Sequence, residues 1–336
     1  MNEYSYYYKS INMSKIQSKD NEEILQIPVL GSKNKDAFVV GIITKPKSTS
    51  TGSNNKKRLV ISMHGMAGHK NYLYMPQLSD ELSSNLGYYV FRFDFRGCGD
   101  SSDHEDPSLG RLISDDIMDL SSVVKYFVDG TYTPSKEDGD VNEEDAGKFI
   151  VSCLVAHSRG TLPMFDYALK TLREDGIVIP FIINCSGRFN GHKLLEYLKK
   201  RVPEVAEQGG YKGQGYIKGR YRNIWIPYQE SLDLGRQVMT RVKNLDSHCK
   251  VLSVYGLKDE IIPLEDAAKY ANALQERHQL EFIEGADHNY HGTISQGEPD
   301  FENEFNYPIH SRKKVIDYNP RVVEIISNWL GSTTKL

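Results

Sequence analysis

The chain has 336 residues, 39% hydrophobic and 26% charged, with a formal net charge of −4, which provides for a sizeable core and excludes both a disordered chain and the basic footprint of a nucleic-acid binder. Its four cysteines, Cys98, Cys153, Cys185 and Cys249, are scattered with no C-x-x-C pair, which points to a reducing, cytoplasmic setting rather than a disulfide scaffold. No apolar run is long enough to span a bilayer, and "MNEYSYYYKSINMSK" at the start holds no apolar signal core.

Residues 1–22 are polar and tyrosine-rich and read as a leader. "EILQIPVL" and "DAFVVGIITKP" follow as two strands about an "SKNKD" hairpin turn. The Ser/Thr/Asn-rich stretch 47–57 reads as an exposed loop. Further short apolar runs come at wide intervals: "RLVISMHG", "YYVFRFDF", "KFIVSCLVA", "IVIPFIINCS", "KVLSVYG" and "LEFIEGA". Each is apolar at nearly every position, the pattern of strands buried on both faces of a parallel sheet. Helical spacing joins Leu109, Leu112, Ile113, Ile117, Leu120, Val124 and Phe127 over 109–127. It recurs in Leu162, Phe165, Leu169 and Leu172, and again in Val322, Val323, Ile326, Trp329 and Leu330. The alternation predicts an α/β fold with a mostly parallel, eight-stranded sheet and helices on both faces.

Three stretches break the rhythm. Residues 129–147 form an acidic, turn-rich excursion. Residues 188–245 are too long for one crossover helix and read as an inserted lid, dividing the core into 23–187 and 246–336. Residues 292–316 form a polar loop whose role is not readable.

"LVAHSRG" places Ser158 where a strand meets a helix. Taken alone, a serine there is an N-cap. Ala156 and Gly160, small residues two positions to either side, instead suggest a sharp, strained turn that projects the serine from the strand end. A nucleophilic serine needs a base and an orienting acid, in the chain order Ser, acid, His on such a sheet. Asp259 and His288 follow the last two strands at the edge where open α/β sheets bind ligands. Glu260 and Asp287 compete for the acid and His291 for the base; Asp259 is preferred because its neighbour Glu260 is expected to point away. The backbone N–H groups of Met66, after "MHG", and of Arg159 are the expected oxyanion donors.

His288 and His291 have no third residue spaced to complete a metal site. "RGCGDSS" lacks the third glycine of a dinucleotide fingerprint, and no P-loop is present, so neither metal nor cofactor is expected. His157 reads as a packing or supporting neighbour of Ser158. His69 and Lys70 read as loop surface or a wall of the site, and Cys153 and Cys185 as buried strand residues.

"HGMAGHKN" followed by "FRFDFRGCGDSSD", with "AHSRG", "NCSGRF", "YGLKDEIIPLEDA" and "IEGADHNY", resembles the α/β-hydrolase superfamily, and within it the cinnamoyl/feruloyl esterase-like serine hydrolases. It is similar in particular to fungal and plant hydrolases carrying Ser-Arg-Gly at the turn. The resemblance covers about 24–290 and the last helix, and Thr161 stands where such proteins often have a second glycine. It implies an α/β-hydrolase fold and cleavage of a small-molecule carboxylic ester through an acyl-enzyme on a Ser158–His288–Asp259 triad, without cofactor or metal. A thioesterase or small-peptide hydrolase with the same triad, or a binding protein that has lost turnover, are the alternatives. Within the lid, Tyr216, Tyr221 and Trp225 are expected to line a substrate pocket. Oligomeric state is not legible.

Overall fold

The computed structural model describes residues 19–46, 57–132, 149–293 and 315–333. The expectations for residues 1–18, 47–56, 133–147 and 294–314 therefore lie outside the described residues. Eight strands form the main sheet: β1 (Glu22–Pro28), β2 (Phe38–Thr44), β3 (Lys57–Met63), β4 (Tyr89–Asp94), β5 (Phe149–His157), β6 (Phe181–Cys185), β9 (Lys250–Gly256) and β10 (His278–Ile283). β7 (Gly210–Ile217) and β8 (Arg220–Pro227) belong to the insertion over 188–245. The spatial order is β1-β2-β4-β3-β5-β6-β9-β10. β2 pairs antiparallel with both β1 and β4, and the remaining neighbours pair in parallel. β2 alone therefore runs against the sheet.

Successive strand residues face opposite sides, so a strand covered on both must be apolar throughout. β3 sends Leu59, Ile61 and Met63 into one core and Val60 into the other. The first core is closed by α2 (Ile113–Val128) and α3 (Thr161–Asp175), together with Tyr270 and Leu274 of α7 (Leu264–Leu274). The second is closed by α1 (Met75–Leu86) and α8 (Asn319–Thr333). Val322, Val323, Ile326, Trp329 and Leu330 of α8 are all buried there, as are Cys153 and Cys185. At about 1.5–3 kcal/mol for each fully buried large aliphatic side chain, these two cores dominate the favourable side of folding. No helix of the described residues is long and apolar enough to cross a membrane.

Helix α2 begins at Ile113, four residues later than the apolar spacing suggests. Gly110 takes a left-handed φ of 71° and Leu112 is extended, so the helix cannot include Leu109 or Leu112. Strand β1 likewise begins at Glu22, one residue inside the stretch read as leader. Residues 188–245 contain α4 (His192–Arg201), α5 (Val205–Gln208), a hairpin of β7 (Gly210–Ile217) and β8 (Arg220–Pro227), and α6 (Tyr228–Gly235). The polar stretch after β10 starts and ends in a short antiparallel pair, β11 (His291–Thr293) and β12 (Val315–Asp317).

Candidate active site

Strand β5 ends at His157, and Ser158 turns the chain with φ at 51°. A left-handed conformation costs a non-glycine residue roughly 1–2 kcal/mol and persists only where its surroundings impose it. The Thr161 hydroxyl donates to the Ser158 carbonyl at 2.7 Å, which closes the turn from the helix side. Gly160 closes it from the sheet side, since a Cβ there would lie 2.6 Å from the His64 carbonyl oxygen. The small residue at 160 is therefore required by the chain just beyond the end of β3.

His288 Nε2 lies 2.9 Å from Ser158 Oγ, and His288 Nδ1 lies 2.9 Å from Asp259 Oδ2. The Asp259 side chain is fully buried, and its Oδ1 accepts the N–H groups of Ile261 and Ile262 at 2.9 and 2.7 Å. These bonds fix the carboxylate and leave Oδ2 for the imidazole. A carboxylate only accepts, so Nδ1 carries the proton and Nε2 is left to accept from Ser158. The competing residues are turned elsewhere. Asp287 Oδ1 accepts the N–H groups of Asn289 and His291, both at 2.8 Å, and so shapes the turn after β10. His291 faces Asp317, and Glu260 is exposed.

His157 supports this arrangement from below. Its Nε2–H donates to the His288 carbonyl at 3.0 Å, and burial pushes its pKa down to about 3, so the ring stays neutral. On the other side of Ser158, the Gly65 carbonyl accepts from His64 Nδ1 at 2.8 Å and from Arg111 Nη1 at 3.1 Å. A trans peptide points its N–H away from its carbonyl, so the Met66 N–H is directed opposite to these two donors. That N–H has no backbone partner among the described residues. His64 is itself locked, because its Nε2 accepts the Phe95 N–H at 3.1 Å and burial holds its pKa well below the ordinary histidine value.

A model of the alpha/beta hydrolase family matches residues 60–299. The chain is also 34% identical over 304 residues to the uncharacterized protein YDL057W of Saccharomyces cerevisiae, covering 88% of each. The chain belongs to the alpha/beta hydrolase family. Est1E from Butyrivibrio proteoclasticus, in its complex with ferulic acid, has the same fold at 15% identity, with a TM-score of 0.58 and coverage of 93% of this hydrolase and all of that chain. Alpha/beta hydrolase domain-containing protein 10 from mouse is similar at 16% identity and a TM-score of 0.53, covering 80% of this chain and 91% of its own. An esterase from Thermogutta terrifontis follows at 16% identity and a TM-score of 0.51, covering 92% and 98% respectively.

Of the two loop residues read as surface or a wall of the site, Lys70 departs from the surface reading and His69 is half-buried. Lys70 is not loop surface: it is buried and bonds Asp94 at 2.6 Å and Asp100 at 2.5 Å. Burial opposes its charge, but the two carboxylates hold the ammonium above its ordinary pKa. His69 stacks on Tyr216 with ring centroids 3.9 Å apart, and burial lowers its pKa to about 4. The tip of the β7–β8 hairpin is pinned alongside, where the Gly99 N–H donates to the Tyr216 carbonyl and the Lys218 N–H to the Gly99 carbonyl, at 3.0 and 2.9 Å. Tyr216 and Tyr221 are cross-strand partners, with Trp225 on the same hairpin face; Tyr221 and Trp225 are exposed. Among the described residues, no three His, Cys, Asp or Glu side chains converge on a metal site.

Sequence reasoning did not find Arg111, Asp116 or Glu230. Together with Arg159 they form a buried charge cluster beside the turn at Ser158. Asp116 gave a readable signal: it lies on the same side of α2 as Ile113 and Leu120, and a carboxylate within an apolar stripe requires a partner.

Proposed function

We propose that this hydrolase cleaves small-molecule carboxylic esters with Ser158 as nucleophile, His288 as base and Asp259 as the orienting acid. The observation that carries the reading is the continuous chain from Ser158 Oγ through His288 to Asp259, 2.9 Å at each step, at a serine held in a left-handed turn. His288 takes the hydroxyl proton as Ser158 Oγ attacks the acyl carbonyl, and Asp259 stabilises the imidazolium. The tetrahedral oxyanion is received by the N–H groups of Met66 and Arg159, each donor being worth roughly 3 kcal/mol in the transition state. His288 returns the proton to the leaving alcohol. It then activates a water molecule, which hydrolyses the acyl-enzyme. None of these steps calls for a cofactor. The insertion over 188–245 is the lid of this site, and Tyr216, Tyr221 and Trp225 are its pocket residues.

The test is hydrolysis of p-nitrophenyl acetate by the wild type and by Ser158→Ala. The variant is expected to keep its fold and to lose roughly three to six orders of magnitude in kcat. A folded Ser158→Ala variant with wild-type turnover would remove Ser158 from the mechanism. An acyl panel including thioesters and anilides then separates esterase from thioesterase or amidase.

A further inference from the structure

Arg111, Asp116, Arg159 and Glu230 form a chain of two positive and two negative side chains, all nearly inaccessible to solvent, which the backbone N–H of Arg111 closes into a ring. Asp116 Oδ1 accepts from Arg111 Nε at 2.7 Å, and its Oδ2 from Arg159 Nε at 3.3 Å. Glu230 Oε1 accepts from Arg159 Nη1 at 2.8 Å, and its Oε2 from the Arg111 N–H at 3.0 Å. Arg159 Nη2 donates to the Arg111 carbonyl. Three of these charges belong to the core, and the fourth, Glu230, is carried by α6 of the insertion. A second carboxylate of α6 engages the same segment, since Asp233 Oδ2 accepts the Ile113 N–H at 2.8 Å. Gly110 allows the approach: a Cβ there would stand 2.5 Å from Glu230 Oε2.

The ring touches the reaction machinery at two points. Arg159 directly follows Ser158, and Arg111 Nη1 donates to the Gly65 carbonyl, whose peptide carries the Met66 N–H. Both oxyanion donors are thus adjacent to the ring. We propose, on the assignment of Ser158 as nucleophile, that Glu230 is a positioning residue which completes the oxyanion hole through Arg111 and Arg159. The insertion then acts on the chemical step as well as on substrate fit. Its seated α6 supplies the carboxylate that holds the Arg111 backbone and the Arg159 guanidinium, leaving Asp116 to hold the Arg111 guanidinium against the Gly65 carbonyl. Without that charge, two buried guanidinium groups share one carboxylate. The surplus positive charge draws in water or displaces a side chain, and the Gly65–Met66 peptide loses its second anchor. Its N–H matters most when negative charge develops on the substrate oxygen, so the loss falls on the transition state more than on the bound ester.

The experiment measures kcat and KM for p-nitrophenyl acetate in wild type, Glu230→Gln, Glu230→Asp and Ser158→Ala, with the melting temperature of each. Glu230→Gln keeps the shape and removes the charge. Its kcat is expected to fall roughly ten- to a hundredfold while KM stays within about twofold, the size of loss that a small misplacement produces. Glu230→Asp keeps the charge on a shorter arm and is expected to recover part of the kcat. A folded Glu230→Gln variant with wild-type kcat, or one that changes KM alone, overturns the proposal. Should Glu230→Gln not fold, Glu230→Asp carries the test: reduced kcat at unchanged KM supports the role, and wild-type kcat overturns it. The Ser158→Ala arm separates the two readings. If it turns over like the wild type, the nucleophile assignment fails; if it is inactive while the Glu230 variants are fully active, only the positioning role fails.

Discussion

Gly160 has no side chain because the His64 carbonyl occupies the space where one would go. Gly160→Ala is expected to push the turn at Ser158 away from the end of β3, lowering kcat roughly a hundredfold and stability by about 1–3 kcal/mol. Kinetics together with thermal melting check both effects, and wild-type values for both would contradict the account. The acid can be tested just as directly. Asp259→Asn replaces an acceptor that fixes the imidazole tautomer, and a loss of up to about ten-thousandfold in kcat is expected. Asp287→Asn alters a turn cap and is expected to cost stability rather than turnover. A larger kcat loss from Asp287→Asn would reassign the acid. The meeting of Ser158, Asp259 and His288 was legible because each has a distinctive chemistry at a strand end, in the chain order expected for such a sheet. Glu230 was not, because no local pattern says that residues 111, 116, 159 and 230 meet.

Among the elements, the buried strands could be read from continuous apolar runs, whereas α1 and the hairpin could not be read this way. Helix α1 has small and polar residues on much of its surface, although Pro76 in its first turn and a left-handed Gly87 at its end mark both boundaries. In the hairpin, glycines at 210, 213 and 215 hide the strand pattern, while Ile226 and Ile224 fill the space above Gly213 and Gly215. Lys218 and Gly219, both at positive φ, make the two-residue turn between β7 and β8. Because Tyr216 rests on His69, the hairpin meets the loop that follows β3. Tyr216→Ala, Tyr221→Ala and Trp225→Ala are expected to change the ranking of esters by acyl size more than turnover of the acetate, since a small ester uses little remote binding. An unchanged ranking in all three variants would place selectivity elsewhere.

Across the whole molecule, burial keeps several histidines neutral. His104 is one outside the candidate triad, its pKa lowered to about 4 by burial and by the nearby Arg111. In the unfolded chain it titrates near 6.5, so below that pH the unfolded state binds a proton that the folded state refuses. The stability tied to this group is complete above pH 6.5 and is lost as pH falls toward 4. His104→Gln is therefore expected to gain stability relative to wild type on acidification, by at most about 1.4 kcal/mol per pH unit over that window. A constant difference between the two melting curves from pH 7 to pH 4.5 would contradict this. At this scale the parallel sheet and the edge that carries Ser158, Asp259 and His288 were predictable, because two covered faces demand apolar strands and strand ends gather the loops. The hairpin turn read between the first two strands already set β2 against β1, and β2 is the member of that pair that runs against the rest of the sheet.

The most direct measurement is the mass of the wild-type protein after reaction with a fluorophosphonate, followed by peptide mapping of the adduct. The expected result is one adduct per chain, on the peptide containing Ser158, and its loss in Ser158→Ala. No adduct on the folded wild type, or an adduct on another serine, would contradict the assignment of Ser158 as the nucleophile.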